Sequence, residues 1–145
     1  MSYTYKYPRP MVCVDIALLQ KQSAEESKIL LIKRKNNPFK GCWALPGGFM
    51  DLDERLDKAA YRELEEETSL KDIKLKRFGV YDSIGRDPRG RTISMVYYAV
   101  VEEQNINAKA GDDAAETCFF PLSQIPELAF DHKVIIQDLL SFLAL

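Results

Sequence analysis

The segment from about residue 53 to residue 68 contains neither glycine nor proline, and its leucines and alanines recur at helical spacing. This pattern predicts an α-helix, and Asp51 or Asp53 could cap its first turn. A helix with one apolar side has to bury that side against a core. Other parts of the chain must therefore provide the elements that cover it.

Glutamates lie on the apolar side of this predicted helix as well as on its polar side. With about 100° of rotation per residue, an apolar arc is formed by Leu56, Ala59, Ala60 and Leu64. Glu63 and Glu67 fall inside the arc and Glu66 falls at its edge, whereas Glu65 lies opposite. Burying a carboxylate without a compensating charge is costly, so this pattern calls for a nearby cation.

A divalent metal ion is the natural candidate for that cation. Carboxylates three and four residues apart on a helix can reach one point, and an all-oxygen site suits Mg²⁺, or Mn²⁺, better than a softer metal. Arg62 could neutralise part of the same cluster. The alternative is a solvated acidic helix face, which is the usual explanation of a charge run. Such a face would not place its glutamates among leucine and alanine.

The composition fits one compact domain that spans residues 1–145. Hydrophobic residues make up 46% of the chain, enough for a core, and 20 basic residues nearly balance 22 acidic ones. We therefore expect neither a nucleic acid nor a membrane as a partner. Three widely spaced cysteines without a CxxC pair predict reduced thiols. Together with the lack of a signal-peptide pattern, they predict a cytoplasmic protein.

Strands surround the predicted helix along the chain. Apolar, β-branched or alternating patterns predict strands at residues 11–20, 29–35, 73–84, 92–103 and 118–122. An acidic loop precedes the last of these strands. Residues 131–145 carry apolar side chains at helical spacing and predict a second helix. The chain is therefore expected to have an α/β fold.

The residues around the glutamates match a known signature. Its positions are Gly48, Glu54, Arg62, Glu63, Leu64, Glu66, Glu67 and Leu70, in the spacing G-x5-E-x7-R-E-U-x-E-E-x-G-U with U a bulky aliphatic residue. This stretch resembles the Nudix hydrolase signature. The one departure is Ser69, where the family has glycine. Glycine eases the left-handed conformation at a helix end, so we expect Ser69 to cost roughly 1 kcal/mol of stability and to leave the metal ligands unchanged.

The resemblance implies a Nudix-type α/β/α sandwich with a mixed β-sheet between helices. It also implies hydrolysis of the phosphoanhydride in a nucleoside diphosphate linked to another group, using a divalent metal and water. Its implied metal ligands are Glu63, Glu66, Glu67 and the backbone carbonyl of Gly48. Glu54 and Arg62 complete the implied catalytic group.

Three further stretches resemble a narrower group, the ADP-ribose pyrophosphatase-like Nudix proteins and their ADP-ribose-sensing transcription-factor relatives. These stretches are RPMVCVDIALL, GRDPRGRTISMVYYAVV and AGDDAAETCFFPLSQIPELAFDH. The resemblance implies hydrolysis of ADP-ribose to AMP and ribose 5-phosphate, and a homodimer is possible. Two alternatives remain, a nucleoside triphosphate pyrophosphohydrolase and a non-catalytic ADP-ribose sensor. A sensor of the transcription-factor type would need a DNA-binding domain, for which we expect no room in 145 residues.

The loop GRDPRGR carries Arg86, Arg89 and Arg91, which are candidates for substrate binding. Guanidinium groups suit diphosphate or ribose oxygens. The alternative is a solvated basic turn paired with nearby acids.

Other candidates lie outside the signature and this loop. The resemblance makes Glu116, in the acidic loop, a candidate base or extra metal ligand, with Asp112 and Asp113 as alternatives. Phe39 and Tyr81 could either stack on an adenine or simply pack. The single histidine, His132, is assigned no catalytic role.

Overall fold

The computed structural model describes residues 2–21, 26–102, 106, 108–111 and 114–145. Within these ranges the strands are β1 (Met11–Gln20), β2 (Lys28–Arg34), β3 (Trp43–Ala44), β4 (Gly47–Phe49), β5 (Lys76–Tyr81), β6 (Thr92–Val101) and β7 (Ala114–Pro121). The helices are α1 (Leu56–Thr68) and α2 (His132–Leu143), with a short 3-10 helix at Leu122–Gln124.

The strands form one mixed sheet with β1 at its centre. β1 runs parallel to β6 over its whole length and antiparallel to two partners on its other edge. Its first half pairs with β4, with Val14 opposite Gly48, and its end pairs with β2, with Leu19 opposite Ile29. The two partners diverge between these points, and the sheet opens there.

Both faces of β1 are covered, which explains why its sequence is almost continuously apolar. Its side chains alternate between two cores. Val14, Ile16 and Leu18 belong to the core on the α1 side, which includes Ala59, Ala60 and Leu64 of the helix. Ala17 and Leu19 belong to the core on the α2 side, which includes Ile135, Ile136 and Leu139. The prediction of a mixed sheet between helices is confirmed.

The predicted elements are present, with differences at their ends. α1 begins at Leu56, and its N-cap is Arg55, which makes no side-chain capping bond. The expectation that Asp51 or Asp53 caps this helix is therefore wrong. The backbone N–H of Asp51 donates instead to Glu54 Oε1 at 2.8 Å, which places Asp51 in the turn before the helix.

The last strand is longer than its sequence pattern predicts. β7 begins at Ala114, inside the expected acidic loop, because it pairs with β2 along the whole of that strand, from Lys28 opposite Pro121 to Arg34 opposite Ala114. The long strand β6 ends at Val101, and residue 103, the predicted end, lies outside the described residues.

The C-terminal end of α1 is held by a second segment of the chain. The N–H groups of Lys109 and Gly111 donate to the carbonyls of Thr68 (2.7 Å) and Glu67 (3.1 Å). A Cβ on Gly111 would overlap the carbonyl oxygen of Glu66. The backbone of this segment therefore packs directly on the last turn of the helix, and only glycine allows this approach.

None of the helices among the described residues combines the length and the apolar character needed to cross a membrane.

Ser69 adopts the left-handed conformation that its position in the signature predicts. Its φ is 65° and its N–H donates to Glu65 O at 2.8 Å. We predict that Ser69→Gly raises the free energy of unfolding by about 1 kcal/mol, because glycine adopts this conformation without a Cβ penalty. Denaturant unfolding measures the change. Ser69→Ala is the matched control, since it removes the hydroxyl and keeps the Cβ; an equal gain from both variants would contradict the conformational explanation.

Candidate active site

A cleft of about 360 Å³ opens where the sheet divides between β2 and β4. Its walls come from β1 to β4, α1, the loop at 85–91 and the start of α2. The charged residues that line it are Asp15, Arg34, Asp51, Arg62, Glu63, Glu67, Arg86, Asp87 and Arg89. Charge of both signs therefore faces this cleft, as a site for a polar, anionic ligand requires.

The glutamates of α1 lie as the helical wheel predicts. Glu63 and Glu67 are 9% and 5% exposed and face the cleft, while Glu65 and Glu66 are exposed. The helix thus presents buried carboxylates next to its apolar core residues. A solvated acidic face does not describe this arrangement.

Arg62 gathers the carboxylates around one guanidinium group. Its Nη1 donates to Glu63 Oε1 at 2.8 Å and to Glu66 Oε2 at 3.1 Å, and its Nε donates to Glu54 Oε2 at 3.0 Å. Asp51 Oδ2 lies 3.5 Å from Nε. Four carboxylates around one guanidinium leave a clear excess of negative charge. The expectation that Arg62 neutralises only part of the cluster agrees with these contacts.

The same contacts change the acidity of Glu54. Hydrogen bonds from Arg62, its closest partner, lower the pKa of the Glu54 carboxyl to about 2, although desolvation acts in the opposite direction. Glu54 is therefore ionised throughout the physiological range. A carboxylate with so low a pKa is a weak general base for as long as Arg62 holds it.

Gly48 brings backbone and carboxylate together on the wall of the cleft. A Cβ at this position would lie 2.5 Å from both carboxylate oxygens of Glu63. Real Cβ atoms do not approach so closely, so a side chain here would displace the carboxylate of Glu63. Carboxylate oxygens thus lie directly against the backbone of β4, and oxygen donors suit a hard divalent cation.

Within the described ranges, 2–21, 26–102, 106, 108–111 and 114–145, no three acidic, cysteine or histidine side chains already converge as metal ligands. Glu54, Glu63 and Glu66 instead accept hydrogen bonds from Arg62. A bound divalent ion would compete with this guanidinium for the same oxygens. The carboxylate oxygens suit a divalent ion, and in this structure they are hydrogen-bonded to Arg62.

The three arginines of the loop at 85–91 have different surroundings. Arg86 is 9% exposed, and its Nε and Nη2 donate to Asp131 Oδ2 and Oδ1 at 2.9 and 2.7 Å. Arg89 pairs with Asp87 at 2.8 Å and lines the cleft. Arg91 is exposed and donates to Asp82 O at 2.5 Å, outside the cleft lining. Two of the three predicted binding residues thus meet at the cleft, each paired with an acid.

A buried polar network lies under the cleft and was missed from the sequence. Asp15 Oδ2 accepts a hydrogen bond from Ser94 Oγ at 2.6 Å and lies 3.7 Å from Arg86 Nη2. Its Oδ1 lies 3.4 Å from His132 Nε2. His132 Nδ1 accepts the backbone N–H of Leu45 at 3.0 Å, so the ring N–H on Nε2 is the one that faces Asp15.

The network joins α2 to the strand that carries Gly48. Leu45 lies two residues before β4, and a Cβ on Gly47, the first residue of that strand, would lie 2.6 Å from Asp15 Oδ1. His132 thus contacts the segment that leads into β4, and Asp15 contacts the start of the strand. The signal in the sequence was Asp15 itself, a single acid inside an otherwise apolar strand, since buried acids are almost always paired.

Two ionisable groups of β1 respond to this environment in opposite directions. Burial raises the pKa of Asp15, but His132, Ser94 and Arg86 outweigh it and hold the pKa below its ordinary value. Burial, followed by the charge of Asp15, raises the pKa of the Cys13 thiol to about 12. Cys13 therefore stays a neutral thiol on the wall of the cleft.

The expectation that Glu116 lies in a loop is wrong. Glu116 lies in β7 opposite Lys33, and the two side chains form an ion pair of 3.6 Å on the exposed surface. It does not line the cleft. The other two acids considered for this role, Asp112 and Asp113, lie outside the described residues.

Comparisons with known proteins agree with this geometry. The NUDIX domain model matches residues 9–139. The ADP-ribose pyrophosphatase of Methanocaldococcus jannaschii is 50% identical over 132 residues, which are 91% of this chain and 74% of that protein.

Two solved structures share the fold. The NUDIX domain of Shewanella oneidensis NrtR, crystallised with ADP ribose, has a TM-score of 0.85 and 30% identity, over 97% of this chain and 94% of that one. A bifunctional NMN adenylyltransferase/ADP ribose pyrophosphatase from Francisella tularensis, complexed with AMP and a Mn ion, has a TM-score of 0.80 and 32% identity. This match covers 94% of the present chain and 43% of that protein.

The close approach of Gly48 to Glu63 generates a first prediction. Gly48→Ala displaces the carboxylate of Glu63 and breaks its bond to Arg62, so we expect the free energy of unfolding to fall by about 1 kcal/mol. Chemical denaturation measures this change. Gly79→Ala is the matched control, because the nearest atom to a Cβ there is Tyr81 Cε2 at 4.0 Å. Equal effects of the two substitutions would show that steric contact with Glu63 is not the cause.

A second prediction concerns the pH dependence of stability. Because the folded state lowers the pKa of Asp15, its contribution is complete above the unfolded value near 3.8 and is lost as pH falls below it. We expect Asp15→Asn to lower the free energy of unfolding by about 3 kcal/mol at pH 7, since Arg86 loses a buried partner. The difference from wild type should shrink as pH falls below about 4.

Urea unfolding at several pH values tests this expectation. The exposed Asp53→Asn should stay within about 0.5 kcal/mol of wild type at every pH. A difference between Asp15→Asn and wild type that is constant down to the lowest pH would contradict the assignment.

Proposed function

Because the chain belongs to the Nudix family, we propose that it is a pyrophosphohydrolase that cleaves ADP-ribose to AMP and ribose 5-phosphate. The observation that carries the proposal is the pair of buried carboxylates on α1, Glu63 and Glu67, which line the cleft with Glu63 beside Gly48. The 50% identity to an ADP-ribose pyrophosphatase supports this substrate. So does the likeness to a NUDIX domain crystallised with ADP ribose.

Nudix hydrolases use divalent metal ions, and we assign Mg²⁺ here, with Mn²⁺ as the alternative. Glu63, Glu66, Glu67 and the carbonyl of Gly48 would hold the ion. When bound, it neutralises charge on the diphosphate and lowers the pKa of a water molecule. The hard oxygen donors support this choice. A relative complexed with AMP and a Mn ion is consistent with it.

Arg62 and Glu54 orient the site. Arg62 bonds the carbonyl of Phe49 at 3.0 Å as well as the glutamates, so one side chain sets the distance between β4 and α1. We assign Arg62 the role of fixing the carboxylates before substrate enters, which reduces the reorganisation needed during the reaction. Glu54 anchors Arg62 through Nη2, at 2.5 Å.

The loop arginines take different parts in this proposal. Arg89, which lines the cleft and is partly exposed, is assigned to the diphosphate or a ribose. Arg86 is nearly enclosed by Asp131 and Asp15, so its guanidinium fixes the base of the cleft, and its contact with substrate remains a prediction. Arg91 remains a predicted binding residue, although its carbonyl partner Asp82 lies away from the cleft lining.

The general base remains a prediction. Glu116 would have to leave Lys33 and reach the cleft from β7 to act as a base or as an extra metal ligand. Glu116→Gln should lower kcat strongly if it does so. An unchanged kcat would direct the search to Glu63 and to Glu54, the latter after release from Arg62.

A substrate screen tests the proposed function. Purified protein with Mg²⁺ is incubated with ADP-ribose, other nucleoside diphosphate sugars, dinucleotides and nucleoside triphosphates, and the products are separated by chromatography. The expected result is AMP and ribose 5-phosphate as the main products, with the highest kcat/KM for ADP-ribose. Preferred cleavage of triphosphates would replace the proposal with a triphosphate pyrophosphohydrolase, and binding of ADP-ribose without cleavage would replace it with a sensor.

The glutamates of α1 are expected to act on turnover rather than on folding. Glu66→Gln and Glu67→Gln should each lower kcat at least about 100-fold, because each removes a negative charge from the assigned metal site. Melting temperatures without metal should change little for the exposed Glu66. Glu65→Gln is the matched control on the opposite helix face and should keep wild-type turnover. Near-wild-type kcat in both of the first two variants would remove the metal site from this helix.

A further inference from the structure

Two phenylalanine rings meet beside the cleft, on segments far apart in sequence. Phe39 follows β2 and Phe130 precedes α2, and their ring centroids lie 4.8 Å apart in an edge-to-face arrangement. Phe130 lines the cleft and packs against the small apolar cluster around Ile32 and Ala44. Phe39 lies outside the cleft lining and is 39% exposed. The ring of Phe130 is thus within reach of a ligand in the cleft, with Phe39 packed on it.

Both residues adopt a backbone conformation that phenylalanine rarely takes. φ is 61° at Phe39 and 53° at Phe130, in the left-handed region. Neighbouring bonds hold them there: Arg34 Nε donates to Pro38 O at 2.7 Å, and the N–H of Ala129 donates to Trp43 O at 2.8 Å. Unfavourable conformations that persist because their surroundings impose them concentrate at ligand sites.

Guanidinium groups border the same ring. The Cζ atoms of Arg34 and Arg89 lie 5.0 and 5.5 Å from the centroid of the Phe130 ring. Asn36 and Asn37 line the adjoining part of the cleft. Aromatic and guanidinium planes stack on nucleobases of any kind, and amide side chains can both donate to and accept from a base edge. The chemistry of the cluster therefore matches a neutral, flat heterocycle with polar edges.

Arg89 connects this cluster to the acidic end of the cleft. Its Cζ lies 4.8 Å from the ring centroid of Phe49 as well as 5.5 Å from that of Phe130. Phe49 directly follows Gly48, beside the carboxylates of α1. The guanidinium thus contacts both the ring of Phe130 and the ring of Phe49. In a nucleotide, the diphosphate likewise connects the base end to the reacting end.

We propose that Phe130, with Phe39 and Arg34, forms the subsite for the purine base of the nucleotide substrate, and that Asn36 and Asn37 contact the edge of the base. The inference rests on the proposed function, because it assigns one end of the same cleft to the adenine of ADP-ribose. Tyr81, the other stacking candidate from the sequence, lies against Phe78 and donates to Asp138, outside the cleft lining.

The test separates the two halves of the substrate. Calorimetry measures the binding of AMP and of ribose 5-phosphate, each with Mg²⁺, to wild type and to Phe130→Leu and Phe39→Leu. Leucine keeps apolar bulk and removes the aromatic face. We expect Phe130→Leu to weaken AMP binding about five- to one-hundred-fold, the range for loss of one base–aromatic stack. Ribose 5-phosphate affinity should stay within about twofold.

Steady-state kinetics give a second readout. Phe130→Leu should raise KM for ADP-ribose and leave kcat within about twofold, because stacking acts equally on the ground and transition states. The control is Phe142→Leu, which changes an exposed phenylalanine of α2 that packs on Phe78 and Tyr98 outside the cleft. Both the AMP affinity and the KM of this control should equal those of wild type.

Three results would overturn the inference: AMP affinity within twofold of wild type in both phenylalanine variants, equal losses of affinity for AMP and ribose 5-phosphate, or undetectable AMP binding by wild type. Thermal melting identifies misfolding, and if Phe130→Leu fails to fold, the more exposed Phe39→Leu decides. Wild type that binds AMP through Phe130 but leaves ADP-ribose intact would refute the proposed function and keep the subsite. Hydrolysis of ADP-ribose with wild-type KM and kcat in both phenylalanine variants would keep the proposed function and refute the subsite.

Discussion

The contact between Arg62 and the glutamates of α1 is the interaction on which the candidate site depends. Like charges on neighbouring turns of a helix repel, and burying two of them beside leucine and alanine would be unfavourable without a counter-ion. One guanidinium bonds Glu54, Glu63 and Glu66 and also reaches the carbonyl of Phe49. The arginine therefore stabilises the acidic face and fixes the spacing between the helix and β4.

The central strand connects this site to the rest of the fold. The later part of β1 supplies apolar residues to both cores, whereas its first part carries Cys13 and Asp15 to the cleft. Its change of partner from β4 to β2 opens the sheet at the point where these polar residues face inwards. The choice of neighbouring strands along β1 thus determines both the packing of the sandwich and the position of the cleft.

The helices, most strands and the orientation of the glutamates could be predicted from the sequence, because periodicity is a local property. The wheel placed Glu63 and Glu67 on the buried side, where the structure has them. The surroundings of the arginines could not be predicted in this way. Arg86 is buried because Asp131, distant in sequence, lies against it, and no local pattern specifies such a partner.

Glu116 illustrates the same limit for strands. Its acidic, small-residue surroundings predict a loop, but pairing with β2 extends the strand through it and turns its carboxylate towards Lys33. Tertiary hydrogen bonding overrode local propensity here. The polar network of Asp15 required three elements to meet, so only the isolated acid in an apolar strand indicated it beforehand.

The attachment of residues 109–111 to the end of α1 has a dynamic consequence. Carbonyls that would otherwise face solvent at the helix terminus accept the N–H groups of Lys109 and Gly111 instead. Amides in an ordinary surface connection exchange with solvent quickly, but these two can exchange only when the last turn of the helix opens. That turn carries Glu66 and Glu67. The two glutamates and residues 109–111 therefore belong to one cooperative unit, so a substitution that loosens either segment should also increase exchange in the other.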